Sequence, residues 1–195
     1  LEVAGSTLSD VVKAQVYLTE PDDVSAFNEV WRRHFGISGP ALSVIPCARH
    51  GLAPKDGRIE INVLALKSGG TTQKEQIACG ITPGLSDQPE AVRAGDLLLL
   101  SGLMATQTDG GLDPRGLPDP GQPWFTNAAE QQAEIILDHA EALCGAAGTS
   151  IENVVRAQIF LTNIAAFGAA YGALERRMKG APVPFAVTEV PAPMA

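Results

Sequence analysis

The chain repeats itself at long range. The segment from Ala4 to Thr19 (AGSTLSDVVKAQVYLT) matches that from Ala147 to Thr162 (AGTSIENVVRAQIFLT) at an offset of 143, with half of the sixteen positions identical. Aromatic pairs follow both segments, Phe27 and Trp31 after the first, Phe167 and Tyr171 after the second. A period this long is that of a domain plus its linker rather than of a solenoid, so the expected organisation is two copies of one folding unit. Residues 1–67 read as the C-terminal part of the first unit, and residues 84–195 as a second unit lacking its last strand. Residues 68–83, rich in Gly and Thr from Ser68 to Lys74, read as a linker.

Within each copy the hydrophobic period fixes the elements. Val12, Ala14, Val16 and Leu18 alternate with Lys13, Gln15 and Tyr17, a strand pattern that Val155 to Leu161 repeats. Arg58 to Leu66 alternates as well, with Ile59, Ile61, Val63 and Ala65 on one face and Glu60 and Asn62 on the other. Asp96 to Ser101 is a nearly continuous apolar strand between Ala94-Gly95 and Gly102. Val24, Phe27, Trp31 and Phe35 form a helical stripe after the acidic start Asp22-Asp23. A second helix starts at Asn127, with Glu130 completing a capping box, and carries Ala129, Ala133, Ile136, Ala140 and Leu143. Thr106 to Pro123 reads as a long loop. One complete unit is therefore strand-strand-helix-strand-helix-strand-strand, an α+β sheet with two helices on one face. The other face carries Gln15, Tyr17, Glu60 and Asn62 beside apolar Leu64, Leu66 and Phe160, so a neighbouring subunit or copy is expected to cover it.

Composition narrows the chemistry. With 14 Lys+Arg against 22 Asp+Glu the net charge is −8, which disfavours a nucleic-acid partner. No apolar run approaches the roughly 20 residues that span a bilayer, and no signal peptide is visible, so no membrane partner and a cytoplasmic location are expected. Cys47, Cys79 and Cys144 share no ligand spacing with one another or with His34, His50 and His139, and read as small buried hydrophobes; no metal site is expected.

The set Glu90-Ala91-Val92-Arg93-Ala94-Gly95-Asp96-Leu97-Leu98-Leu99-Leu100-Ser101-Gly102, the twin Ala-Gly…Val-Val-(Lys/Arg)-Ala-Gln blocks and Arg58-Ile59-Glu60-Ile61-Asn62 resembles the RidA/YjgF family of enamine/imine deaminases. The resemblance implies a chorismate-mutase-like α+β fold, assembled as a homo-oligomer (a trimer or a multiple of three units). Small-molecule sites would lie in clefts between adjacent units, with no metal or organic cofactor. Carried over residue by residue, the water-handling Glu falls on Glu60, the Ser-Gly pair on Ser101 and Gly102, and a helix Asn on Asn28, whose place Gly168 takes in the second copy. The carboxylate-gripping Arg of a Pro-Ala-Arg-Ser segment is replaced by Leu42 in one copy and Phe185 in the other, and Gln88 replaces a Tyr common before the first strand. A guanidinium binds a carboxylate in a bidentate, charge-assisted way that Leu and Phe cannot reproduce.

Each site residue carries a plain reading beside the functional one. Glu60 is a proton shuttle for water attacking a C=N bond, or one half of an inter-subunit salt bridge. Arg49 is a displaced substrate anchor or a strand-end charge. Ser101 and Gly102 offer backbone N–H groups to a substrate oxygen or end a strand. Leu42 and Phe185 line an apolar pocket or pack in a core. The resulting expectation is a RidA-like hydrolase of a small enamine, imine or related reactive metabolite. The alternatives are a non-catalytic binding or assembly module, and a chorismatase-like hydrolase of different chemistry.

Overall fold

The structure is a computed structural model that describes residues 1–48, 52, 54–81, 88–122, 124–179 and 183–191. The chain forms two compact units, the first made of Leu1–Ala78, Leu85–Gly102 and Val190–Ala195, the second of Cys79–Gly84 and Leu103–Glu189. These units do not follow the boundaries of the repeated copies.

In the first unit, alternation produces β1 (Val11–Leu18), whose even-numbered residues are buried from end to end. It runs parallel to β2 (Ala41–Pro46) and antiparallel to β3 (Ile59–Ala65), in the order β2-β1-β3. Parallel neighbours need a crossover, and α1 (Asp23–Phe35) supplies it. Its stripe packs as expected: Phe27 and Trp31 join Ala14, Val16, Leu18 and Leu42 in one core, with Val24, Phe35 and Val44 against it. The rings of Trp31 and Phe35 lie 4.2 Å apart by their centroids.

A second three-stranded sheet in this unit is the antiparallel meander β4 (Lys74–Ile77), β5 (Ala91–Ala94) and β6 (Leu97–Leu100). Ala94 pairs with Leu97, so the turn has two residues, Gly95 and Asp96, and Gly95 takes the φ of 61° that such a turn requires. β4 lies inside the stretch read as a linker. Four residues of modest strand propensity become a strand because β5 offers them an edge, a long-range fact that local composition does not carry. Val12, Ala41, Val92 and Ala94, with Leu66 and Leu99 against them, form the core that ties the meander to β1 and β2.

In the second unit, α2 (Ala128–Ala146) precedes β7 (Ala157–Leu161), α3 (Phe167–Arg177) and β8 (Phe185–Glu189). β7 and β8 are parallel, again with a helix as the crossover. Ala133 and Leu137 of α2, Ala170 and Ala173 of α3, and Ile151 and Met178 make its core, with Leu161 of β7 packed against them. The second unit carries two packed helices, whereas the described residues of the first unit carry α1 as their one α-helix. Asn127 caps α2 by accepting from the Ala129 N–H, but Glu130 does not close a capping box. It accepts instead from Arg176 of α3 at 2.6 Å, because a charge-assisted bond across helices outcompetes a local one. Arg177 likewise joins Glu134, Asp138 and Glu141.

Of the three cysteines only Cys144 is buried; Cys47 is half-buried and Cys79 exposed.

Candidate functional site

The odd-numbered residues of β1 define the face of the first unit that α1 leaves open. Register carries this face across the sheet: Gln15 stands opposite Asn62, and Tyr17 opposite Glu60, while Gln15 pairs with Ser43 on the other side. Lys13, Gln15, Tyr17, Ser43, Glu60 and Asn62 thus share one face, as the alternation predicts for the residues it covered.

Glu60 is the second residue of β3, exposed, and its Oε1 accepts from Asn62 Nδ2 at 3.1 Å. Cys47 follows β2 and extends its pairing, its N–H donating to the Leu18 carbonyl at 2.9 Å. Burial, and secondarily the Glu60 charge, push the Cys47 thiol up, so it stays protonated at neutral pH and is no nucleophile. Every residue of β3 except Ala65 is exposed, including Ile59, Ile61 and Val63 on the side facing away from Glu60. The strand lies at the sheet edge in the chain taken alone.

The far end of this face holds a group that sequence reading placed only on the polar side of a strand. Lys13 Nζ donates to Ser43 Oγ at 2.8 Å and to the Leu100 carbonyl at 2.6 Å, and burial lowers its pKa to about 8. Lys13 pairs with Leu64, four residues along β3 from Glu60, which separates the two by about 13 Å at a strand rise of roughly 3.3 Å per residue.

The other expected site residues lie apart from this face or are committed to structure. Ser101 and Gly102 form a clasp between β6 and β2. Gly102 N–H donates to the Leu42 carbonyl at 2.9 Å, and Ser101 N–H donates to the Glu90 carbonyl at 3.0 Å. Ser101 Oγ accepts from Leu42 N–H at 2.9 Å and donates to the Pro89 carbonyl. Both backbone N–H groups are spent, so the expectation that they serve a substrate oxygen is corrected: closing the sheet seam uses them. Gly102 is also the residue that lets β2 approach, since a Cβ there would stand 3.3 Å from Ser43 Oγ. Leu42 points to the opposite side, into the core with Phe27 and Trp31. Gln88 Oε1 accepts from Trp31 Nε1 at 3.0 Å and anchors that core ring. Asn28 is half-buried on α1. Arg49 lies outside the described residues. Phe185 begins β8 in the second unit and stacks with Phe167 and Tyr171.

An open cleft of about 450 Å³, lined by Ser9, His34, Phe35, Lys74 and Gln76 among others, contains none of the expected residues. Among the described residues no three His, Cys, Asp or Glu side chains are placed to hold a metal ion, and no helix is long and apolar enough to cross a membrane.

Comparison with known proteins agrees with the motifs. The model of a family described as Endoribonuclease L-PSP matches residues 1–67 and 87–192. A RutC family protein of Pyrococcus horikoshii is 43% identical over 67 residues, 34% of this chain and 51% of that protein. A 2-iminobutanoate/2-iminopropanoate deaminase of Capra hircus is 39% identical over 72 residues, 37% of this chain and 50% of that protein. The chain thus spans about half the length of these relatives. The crystal structure of a protein of the conserved Rid family from Yersinia pestis superposes with a TM-score of 0.51 at 24% identity, over 62% of this chain and 88% of that one, a likeness of fold.

Proposed function

Because this chain belongs to the Endoribonuclease L-PSP family, the RidA/YjgF family that its motifs resemble, we propose that it is a hydrolase releasing ammonia from a small enamine or imine. The observation that carries the reading is Glu60, held by Asn62 opposite Tyr17 on the open face of the sheet. In this role the Glu60 carboxylate takes a proton from water as the oxygen bonds to the C=N carbon. The carboxylic acid then returns that proton to nitrogen, giving a carbinolamine. The carboxylate next takes the hydroxyl proton and passes it to the amine, the C–N bond breaks as the C=O bond forms, and one water is consumed for one ammonia released. The steps call on no metal or organic cofactor.

An exposed carboxylate is a weak shuttle, and the proposal therefore includes a partner. A second copy, in a trimer or a multiple of three units, covers the open face, excludes water and leaves the substrate in the cleft between copies. With Leu42 turned into the core, that position supplies no bidentate carboxylate clamp, which favours substrates without that carboxylate. The same replacement, with Phe185 in the second copy, is what favours a binding or assembly module instead. A net charge of −8 argues against the ribonuclease chemistry in the family description. Cys47 and Cys144 are thiols outside any disulfide, which suits a reducing compartment, and we propose a cytoplasmic location.

The test is ammonia release from a panel of imines generated in situ, with chorismate hydrolysis as a separate arm. Glu60→Ala is expected to lower turnover by about 10²–10⁴-fold, the range for a positioned general acid/base. Equal activity of the variant and the parent removes Glu60 from the chemistry, activity on chorismate alone favours the chorismatase-like reading, and inactivity of both favours the binding module.

A further inference from the structure

We infer that Lys13 is a nucleophilic amine that captures small uncharged aldehydes as an imine, at the seam where β1, β2 and β6 meet. This site does not depend on the deaminase reading and uses none of its residues. Two fixed acceptors aim the amine: Ser43 Oγ at 2.8 Å, set by the register of β2, and the Leu100 carbonyl at 2.6 Å, set by β6. A neutral amine has two N–H bonds and one lone pair. With both N–H bonds engaged, the lone pair is directed away from the two acceptors, which is the geometry a nucleophile needs.

Burial, with no opposing charge, sets the balance between the two forms of the amine. Leu64 faces Lys13 from β3, Ala41 and Ser43 from β2, and Leu100 from β6. Tyr17 and Glu60, the titratable pair on the same face, lie about four residues away along the strands. On β5, Arg93 stands opposite Leu98 and pairs with Glu75 at 3.0 Å. Burial is then the sole cause acting on the amine, and it brings the pKa to about 8. Other lysines differ. Lys74 is also lowered by burial, but Asp10 opposes the shift, and Glu152 pushes Lys179 up. Lys55 and Lys67 are exposed.

Capture is balanced without a co-reactant. The lone pair bonds to the aldehyde carbon, the carbonyl oxygen is protonated and leaves as water, and a C=N bond joins the carbon to Lys13. The leucines and alanine around the amine offer no cation for a carboxylate, and imine formation removes the positive charge of Lys13 itself, so the substrate class is uncharged.

The experiment treats the whole protein with acetaldehyde and sodium cyanoborohydride, which reduces the imine to a stable secondary amine, and maps the labelled peptides by mass spectrometry across neutral to alkaline pH. Lys13 is expected to be ethylated at least roughly tenfold faster at neutral pH than Lys55 or Lys67: its lowered pKa raises the neutral fraction by about two to three powers of ten, part of which a less basic, half-buried amine forfeits. Its rate should level off above a midpoint near pH 8. Lys13→Arg keeps a cation and donors at the seam and should lose this label alone. Labelling of Lys13 no faster than the exposed lysines, or without the midpoint near pH 8, overturns the proposal; faster labelling by glyoxylate than by acetaldehyde overturns the uncharged class.

Discussion

Val12 and Val155 hold the same place in the two copies, yet one is 1% exposed and the other 71%. Leu42 and Phe185, again 143 positions apart, are 4% and 42% exposed. Lys13 is half-buried, and its counterpart Arg156 is exposed. The strands themselves are alike: Ala14 pairs with Leu42 as Ala157 pairs with Phe185. What differs is the company. In the first unit β3 lies on one side of β1, and the meander joins β2 through the Ser101-Gly102 clasp. In the second unit β7 and β8 form a sheet of two strands. A repeated sequence therefore repeats a strand-helix-strand frame, while burial, pKa and chemistry come from the strands that dock on its edges.

The largest effect expected from this contrast is at the valines. Val12→Asp should destabilise the protein by about 3–5 kcal/mol, a buried charge without a partner, and Val155→Asp by less than about 0.5 kcal/mol; denaturant midpoints of the two variants measure the gap. Equal losses would mean that the two copies are equally covered. Next come Leu42 and Phe185. Leu42→Ala leaves a cavity beside Phe27 and Trp31 and should cost about 2–5 kcal/mol, whereas Phe185→Ala forfeits mainly its ring contacts with Phe167 and Tyr171, about 1 kcal/mol.

The third effect is on pH dependence. Lys13 has its pKa lowered from 10.5 to about 8 in the fold, so between those values the unfolded chain binds more protons than the native one. Stability should rise with pH through that window, the burden of the buried ammonium being full below about 8 and absent above about 10.5. Urea midpoints of the parent protein should therefore gain on those of Lys13→Met across the window.

The comparison also explains what a reader of the sequence can and cannot see. Alternation gives β1, β3 and β7, and the aromatic stripe gives α1, because those signals are local and repeat along one element. The equivalence of Leu42 and Phe185 follows from the offset alone, and the two registers agree with it. The polar face of Gln15, Tyr17, Glu60 and Asn62 is legible for the same reason. Lys13 as a distinct amine is not: its partners come from 30 and 87 residues away, and nothing near it in the chain announces them. The spent N–H groups of Ser101 and Gly102, and β4 inside a Gly- and Thr-rich stretch, are likewise decided by pairing with distant strands.

The central claim is that Glu60 works only when a second copy covers the open face of its sheet. Imine-hydrolysing activity per chain, measured on dilution through the range where the assembly separates and with molecular mass followed in parallel, tests it most directly. Activity per chain should fall in step with the mass. A monomer that keeps the full activity of the assembly would contradict it.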